Sequence, residues 1–120
     1  MNVSSSRIER ERSIVRRKLP SNTRFLAVGG TEGWVYDLVC EFGNQYTMFV
    51  YWDGSMYKVK MVYPDPGSLP DDVHKHHYFR NGVICLTSSV GYARLEDAYA
   101  KSVLFATAWS AFQETGEFEF

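Results

Sequence analysis

Between residues 23 and 63 the chain changes its period, and this change limits the possible folds more than any other feature. Trp34, Tyr36, Leu38, Cys40 and Phe42 alternate with Val35, Asp37, Val39 and Glu41. A two-residue period places alternate side chains on opposite faces, so this run reads as a strand with one apolar and one wetter face. Glycine-bearing turns interrupt the region at Gly29-Gly30-Thr31-Glu32-Gly33, Gly43-Asn44 and Asp53-Gly54. Four aromatic and β-branched runs separated by such turns predict an antiparallel meander, with strands near 23–29, 34–42, 45–52 and 56–63.

The flanking segments follow other rules. Residues 7–18 mix charge with Ile8, Ile14, Val15 and Leu19 and stop at Pro20, which predicts a short helix with a narrow apolar stripe. Pro64, Pro66, Gly67 and Pro70 exclude regular structure over 64–82, and a long irregular connection in a small domain is usually functional. A short run, Val83-Ile84-Cys85-Leu86, follows the Asn81-Gly82 turn signal. From Leu95 onward, Leu95, Tyr99, Ser102, Val103, Ala106, Trp109 and Phe112 recur at helical spacing, ending before Gly116. The order predicts an α+β fold in which a sheet packs against a helix. The 120 residues make one domain, with residues 1–6 expected to stay outside its ordered part.

Charge and cysteine usage narrow the setting. A formal net charge of -1 creates no field that would call for nucleic acid or an anionic membrane. No apolar run approaches the roughly 18–20 residues of a spanning helix, and the first residues lead into charge instead of a signal-peptide stretch. The two cysteines form no CxxC pair, so a reducing, cytoplasmic setting is expected. Six of the thirteen Lys and Arg residues (Arg7, Arg10, Arg12, Arg16, Arg17 and Lys18) fall within the first eighteen positions. That helix is either a docking surface or a solvated face, with Glu9 and Glu11 interspersed.

Few side chains here are suited to chemistry. Cys40 shares its strand face with Trp34, Tyr36, Leu38 and Phe42, and is expected to be a small core residue. Cys85 lies where the irregular segment ends. Flanked by Ile84 and Leu86, it reads either as another packed thiol or as a nucleophile; reactivity requires exposure and a tuned thiolate. His74, His76 and His77 precede it within eleven residues. They are open to three readings: zinc ligands alongside the thiolate, a hydrogen-bond donor or proton carrier beside it, or solvated loop residues. Their spacing matches no strong zinc motif, and neither a metal nor a cofactor is expected.

The stretch from Tyr63 to Leu86 narrows these alternatives. Tyr63-Pro64, Pro66 and Pro70, then His77-Tyr78-Phe79-Arg80-Asn81-Gly82-Val83-Ile84-Cys85-Leu86, resemble the active-site stretch of ubiquitin-conjugating enzymes. In that family a Tyr-Pro pair closes the fourth strand, and an Asn-Gly-x-Ile-Cys-Leu run holds the catalytic cysteine. The resemblance implies an N-terminal helix, a four-stranded meander, an active-site loop and one long helix behind the sheet, in a compact form without the two C-terminal helices. By the same resemblance, Cys85 would take the C-terminal carboxyl of a protein as a thioester and pass it to an amine. His77, eight residues before the cysteine, stands where the family has an oxyanion-supporting Asn, and its imidazole N–H would make the same hydrogen bond. Asn81 and Gly82 would support the loop, and Arg12 and Arg16 on the first helix would contact the partner. Compact forms of this kind resemble the conjugating proteins of bacterial antiphage operons, some of which pair them with a cGAS-like nucleotidyltransferase whose C-terminus is the acyl donor. The competing expectation is a non-catalytic, ubiquitin-conjugating-like binding module.

Overall fold

The computed structural model describes residues 3–40, 43–63, 79–80, 83–84 and 91–115. Within them the chain is α+β: an N-terminal helix, an antiparallel sheet and a long C-terminal helix. Helix α1 spans Val3–Lys18 and helix α2 spans Leu95–Thr115. The strands are β1 (Arg24–Val28), β2 (Thr31–Val39), β3 (Gln45–Trp52), β4 (Tyr57–Tyr63), β5 (Phe79–Arg80) and β6 (Val83–Ile84), in spatial order β1-β2-β3-β4-β6-β5. The expected four-stranded meander forms the body of this sheet. The β5–β6 hairpin is added at the β4 edge, where Val83 pairs with Lys60.

Turn chemistry fixes the register. Gly29 and Gly30 both have positive φ (59° and 85°), the backbone needed by a two-residue hairpin turn whose twist matches the strands. Val28 therefore faces Thr31, and β2 begins inside the segment expected to be turn. Gly33 belongs to that strand. A Cβ there would lie 2.5 Å from the Val50 carbonyl oxygen and 2.6 Å from the Phe49 ring, so the absence of a side chain lets Phe49 lie over β2.

The β3–β4 turn is organised by Asp53. Its carboxylate accepts from the backbone N–H groups of Ser55 (2.8 Å) and Met56 (2.9 Å) and pairs with Lys58 Nζ (2.9 Å). The Lys58 contact and then these amides hold its pKa well below the usual carboxylate range. Further along, the β3–β4 register slips by one. Met48 pairs with Met61 but Thr47 with Tyr63, leaving Val62 as the extra residue of a bulge.

The core lies between one sheet face and the helices. Trp34, Tyr36, Met48, Val50, Val59 and Met61 pack there with Leu95, Ala98, Phe105 and Trp109 of α2 and with Val15 and Leu19 around α1. Two buried hydroxyl pairs fasten α2 to this face. Tyr36 Oη lies 2.6 Å from Ser102 Oγ, and Tyr46 Oη lies 2.8 Å from Ser110 Oγ. Four expectations need correcting. Residues 3–6, expected outside the ordered part, belong to α1, and Phe79–Arg80 is a strand inside 64–82, where regular structure was not expected. β2 stops at Val39, so Cys40 sits in the 40–44 turn and only half-buried against the core, because Gly43 N–H turns back to its carbonyl at 2.8 Å. Val35, expected on a wetter face, is only 4% exposed on the face it shares with buried Phe49. No helix among the described residues is long and apolar enough to cross a membrane.

Candidate functional site

The residues expected to carry chemistry, Cys85, His77, Asn81 and Gly82, lie outside the described residues, as do His74 and His76. What the structure describes is the frame on either side of the cysteine. Ile84, the residue before it, ends β6, whose Val83 pairs with Lys60 of β4. On the far side, Tyr92 forms an antiparallel bridge with Tyr57 at the start of β4. Tyr57 N–H donates to the Tyr92 carbonyl at 2.7 Å, and Tyr92 N–H donates back at 2.8 Å. Gly91 is buried beside this bridge; a Cβ there would lie 3.0 Å from the Tyr57 carbonyl oxygen and run into the Met56 side chain. Both flanks of the Cys85 segment are thus tied to one strand, at positions three residues apart, or about 10 Å at strand rise.

The far flank leads to a group that sequence reasoning placed wrongly. Glu11 was expected beside Glu9 on a helix read as either a docking surface or a solvated face, but it is 2% exposed. Its position follows from helical spacing: Ile8, Glu11, Val15 and Leu19 fall on one stripe of α1, and that stripe faces the sheet. A carboxylate is tolerated there because donors surround it. Trp34 Nε1 of β2 donates to Oε1 at 2.8 Å. Tyr57 Oη of β4 donates to Oε2 at 2.8 Å, and Arg7, one turn earlier on α1, pairs with Oε2 at 2.6 Å. Burial, and then the carboxylate accepting its proton, push the Tyr57 pKa well above the usual tyrosine value. The 8–11–15–19 spacing was the available signal for this site; the charge pattern masked it.

Arg12 and Arg16, expected to contact a partner, are both exposed on α1. They are not equivalent. The Arg12 guanidinium carbon lies 5.3 Å from the Trp34 ring centroid, a cation–π contact that occupies it within the chain. Arg16 makes no comparable contact among the described residues, whereas Arg17 Nε reaches the Ser13 carbonyl at 3.3 Å. Among the described residues no group of three or more His, Cys, Asp or Glu side chains is placed to hold a metal ion. No protein-family model, curated protein or solved structure matches the chain.

Proposed function

We propose that this chain is a thioester-forming conjugating enzyme of the compact bacterial, ubiquitin-conjugating type, acting in the cytoplasm in antiphage defence. Cys85 is the nucleophile. Its thiolate attacks the activated C-terminal carbonyl of a donor protein, forming a C–S bond as the activating group leaves. An amine then attacks the thioester, a C–N bond forms, and the thiolate departs. His77 donates its N–H to the oxyanion, Asn81 and Gly82 support the loop, and the donor is the C-terminus of a protein such as a cGAS-like nucleotidyltransferase.

The observation that carries this reading is the double tethering of the Cys85 segment to β4, at Lys60–Val83 and Tyr57–Tyr92. A chemical group on a short connection held at both ends by a sheet is the usual arrangement for a site carried on a rigid scaffold. The order of helix, four-stranded meander and long helix behind the sheet agrees with the same reading.

The test is to mix the protein with any cGAS-like nucleotidyltransferase found among the neighbouring genes, ATP and any activating protein from the same operon, and to resolve the products without reductant. A thiol-cleavable adduct is expected, lost in Cys85→Ala and kept in Cys40→Ala. Cys85→Ser should trap a reductant-stable ester. His77→Ala should slow transfer by about 10²-fold, the scale for losing one oxyanion donor, with His74→Ala and His76→Ala near neutral. A thiol-cleavable adduct that survives Cys85→Ala would sink the assignment. Binding without any adduct would favour the non-catalytic module.

A further inference from the structure

Tyr57 joins two parts of the molecule that are far apart in sequence. Its backbone holds Tyr92 by two hydrogen bonds, and its hydroxyl is held by Glu11 of α1. Its ring tilts against Trp52 at 4.9 Å, so the side chain has a fixed course between the two attachments. Glu11 is in turn fixed by Arg7 and by Trp34, the residue on which Arg12 rests. Hydrogen bonds to a charged acceptor are about twice as strong as neutral ones, so Glu11 holds this hydroxyl more firmly than a neutral partner would.

We infer that Glu11 is a positioning residue for the Cys85 segment: acting through Tyr57, it sets how firmly the Gly91–Tyr92 end of that segment is held to β4. The catalytic meaning of this inference rests on Cys85 being the nucleophile, but the mechanical claim does not. Helix α1, which presents Arg12 and Arg16 on its outer face, is joined on its inner face to the strand that anchors the cysteine-bearing connection. A change in how α1 is seated is felt at Tyr92, seven residues after Cys85 in the chain.

The two cysteines supply an internal control. Tyr57→Phe removes only the hydroxyl that Glu11 accepts. With the full chain under folding conditions, this variant should raise amide exchange at Tyr92 about tenfold while Val50, in the central strand β3, stays unchanged. Alkylation of Cys85 by iodoacetamide should change by fivefold or more, with Cys40 in its distant turn unaffected. Glu11→Gln should give the same pattern, and the double variant should add little to either single change, because both act on one link. If Glu11→Gln does not fold, Tyr57→Phe decides alone. Unchanged rates at Tyr92 and Cys85 would overturn the inference. So would parallel acceleration at Tyr92, Val50 and both cysteines, since that pattern reports only lost global stability. A wild-type protein that forms no thioester adduct would remove the enzymatic reading and leave the alkylation and exchange contrasts to judge the clamp.

Discussion

The Tyr36 hydroxyl donates to Ser102 Oγ at 2.6 Å, and Ser102 uses its own proton on the Tyr99 carbonyl, also at 2.6 Å. This directed relay fastens α2 to the middle of β2 within the core. Its direction makes the two ends unequal. Ser102→Ala leaves a buried phenol without its acceptor, at a cost of about 1–3 kcal/mol, whereas Tyr36→Phe removes a donor whose acceptor remains engaged and costs about 1 kcal/mol. Urea unfolding of both singles and the double variant measures this. The double should be less destabilised than the sum of the two. Strict additivity would mean that the contact contributes nothing.

The same tyrosine predicts an alkaline limit. Burial raises the Tyr36 pKa well above its unfolded value of about 10. The folded state keeps a proton that the unfolded state gives up, so the contribution is fully present below about pH 10 and is lost as pH rises above it. The loss approaches ~1.4 kcal/mol per pH unit for one such group. Other groups titrate in this range, so the measurement is the difference between wild type and Tyr36→Phe in urea midpoint from pH 8 to 11. The variant should show the shallower decline.

Gly33 predicts a steric failure. Alanine there places a methyl against the Val50 carbonyl and the Phe49 ring, and the carbonyl belongs to a paired strand that cannot move alone. Overpacking of this kind costs about 1–3 kcal/mol, read as a lower melting temperature. Gly33→Ala combined with Phe49→Leu should recover part of the loss, which would locate the clash at the ring.

Helix α1 separates two roles that its sequence merges. Arg16→Glu should slow adduct formation several-fold at low ionic strength without changing stability, and the difference should shrink as salt is added. Arg12→Glu should also lower stability, because it ends the Trp34 contact and sets a carboxylate one residue from buried Glu11. If Arg16→Glu leaves association unchanged at low salt, partner docking on this face is wrong.

Most of the fold was legible because two of its signals are strong. Alternation through Trp34 and Tyr36 marked a strand and the face that meets the core, although β2 runs Thr31–Val39 and Val35 is buried on the other face. The 95–109 spacing marked α2, whose described end at Thr115 precedes Gly116. The misreadings have physical causes. Gly33 looked like turn because a glycine's usual role is conformational, whereas here it makes room for a ring from the next strand. Strands of two residues, Phe79–Arg80 and Val83–Ile84, are too short to show any period. Glu11 was hidden because a charge on an amphipathic helix normally faces water, and its three donors come from residues 4 to 46 positions away. The chemistry itself was read from the Asn81–Leu86 run, and the described residues frame that segment without including Cys85.

The slip at Val62 makes chain length, as distinct from side-chain identity, the controlled variable at the end of β4. With the extra residue, Tyr63 lies opposite Thr47 and is 61% exposed. Were Val62 paired in register instead, position 63 would come opposite Tyr46 and turn its side chain toward the core. Substitutions at 62 should therefore pass with little effect. Deleting that one residue would restore even pairing with Tyr63 still opposite Thr47, so it removes the bulge and its added twist but keeps the face from which the chain leaves β4.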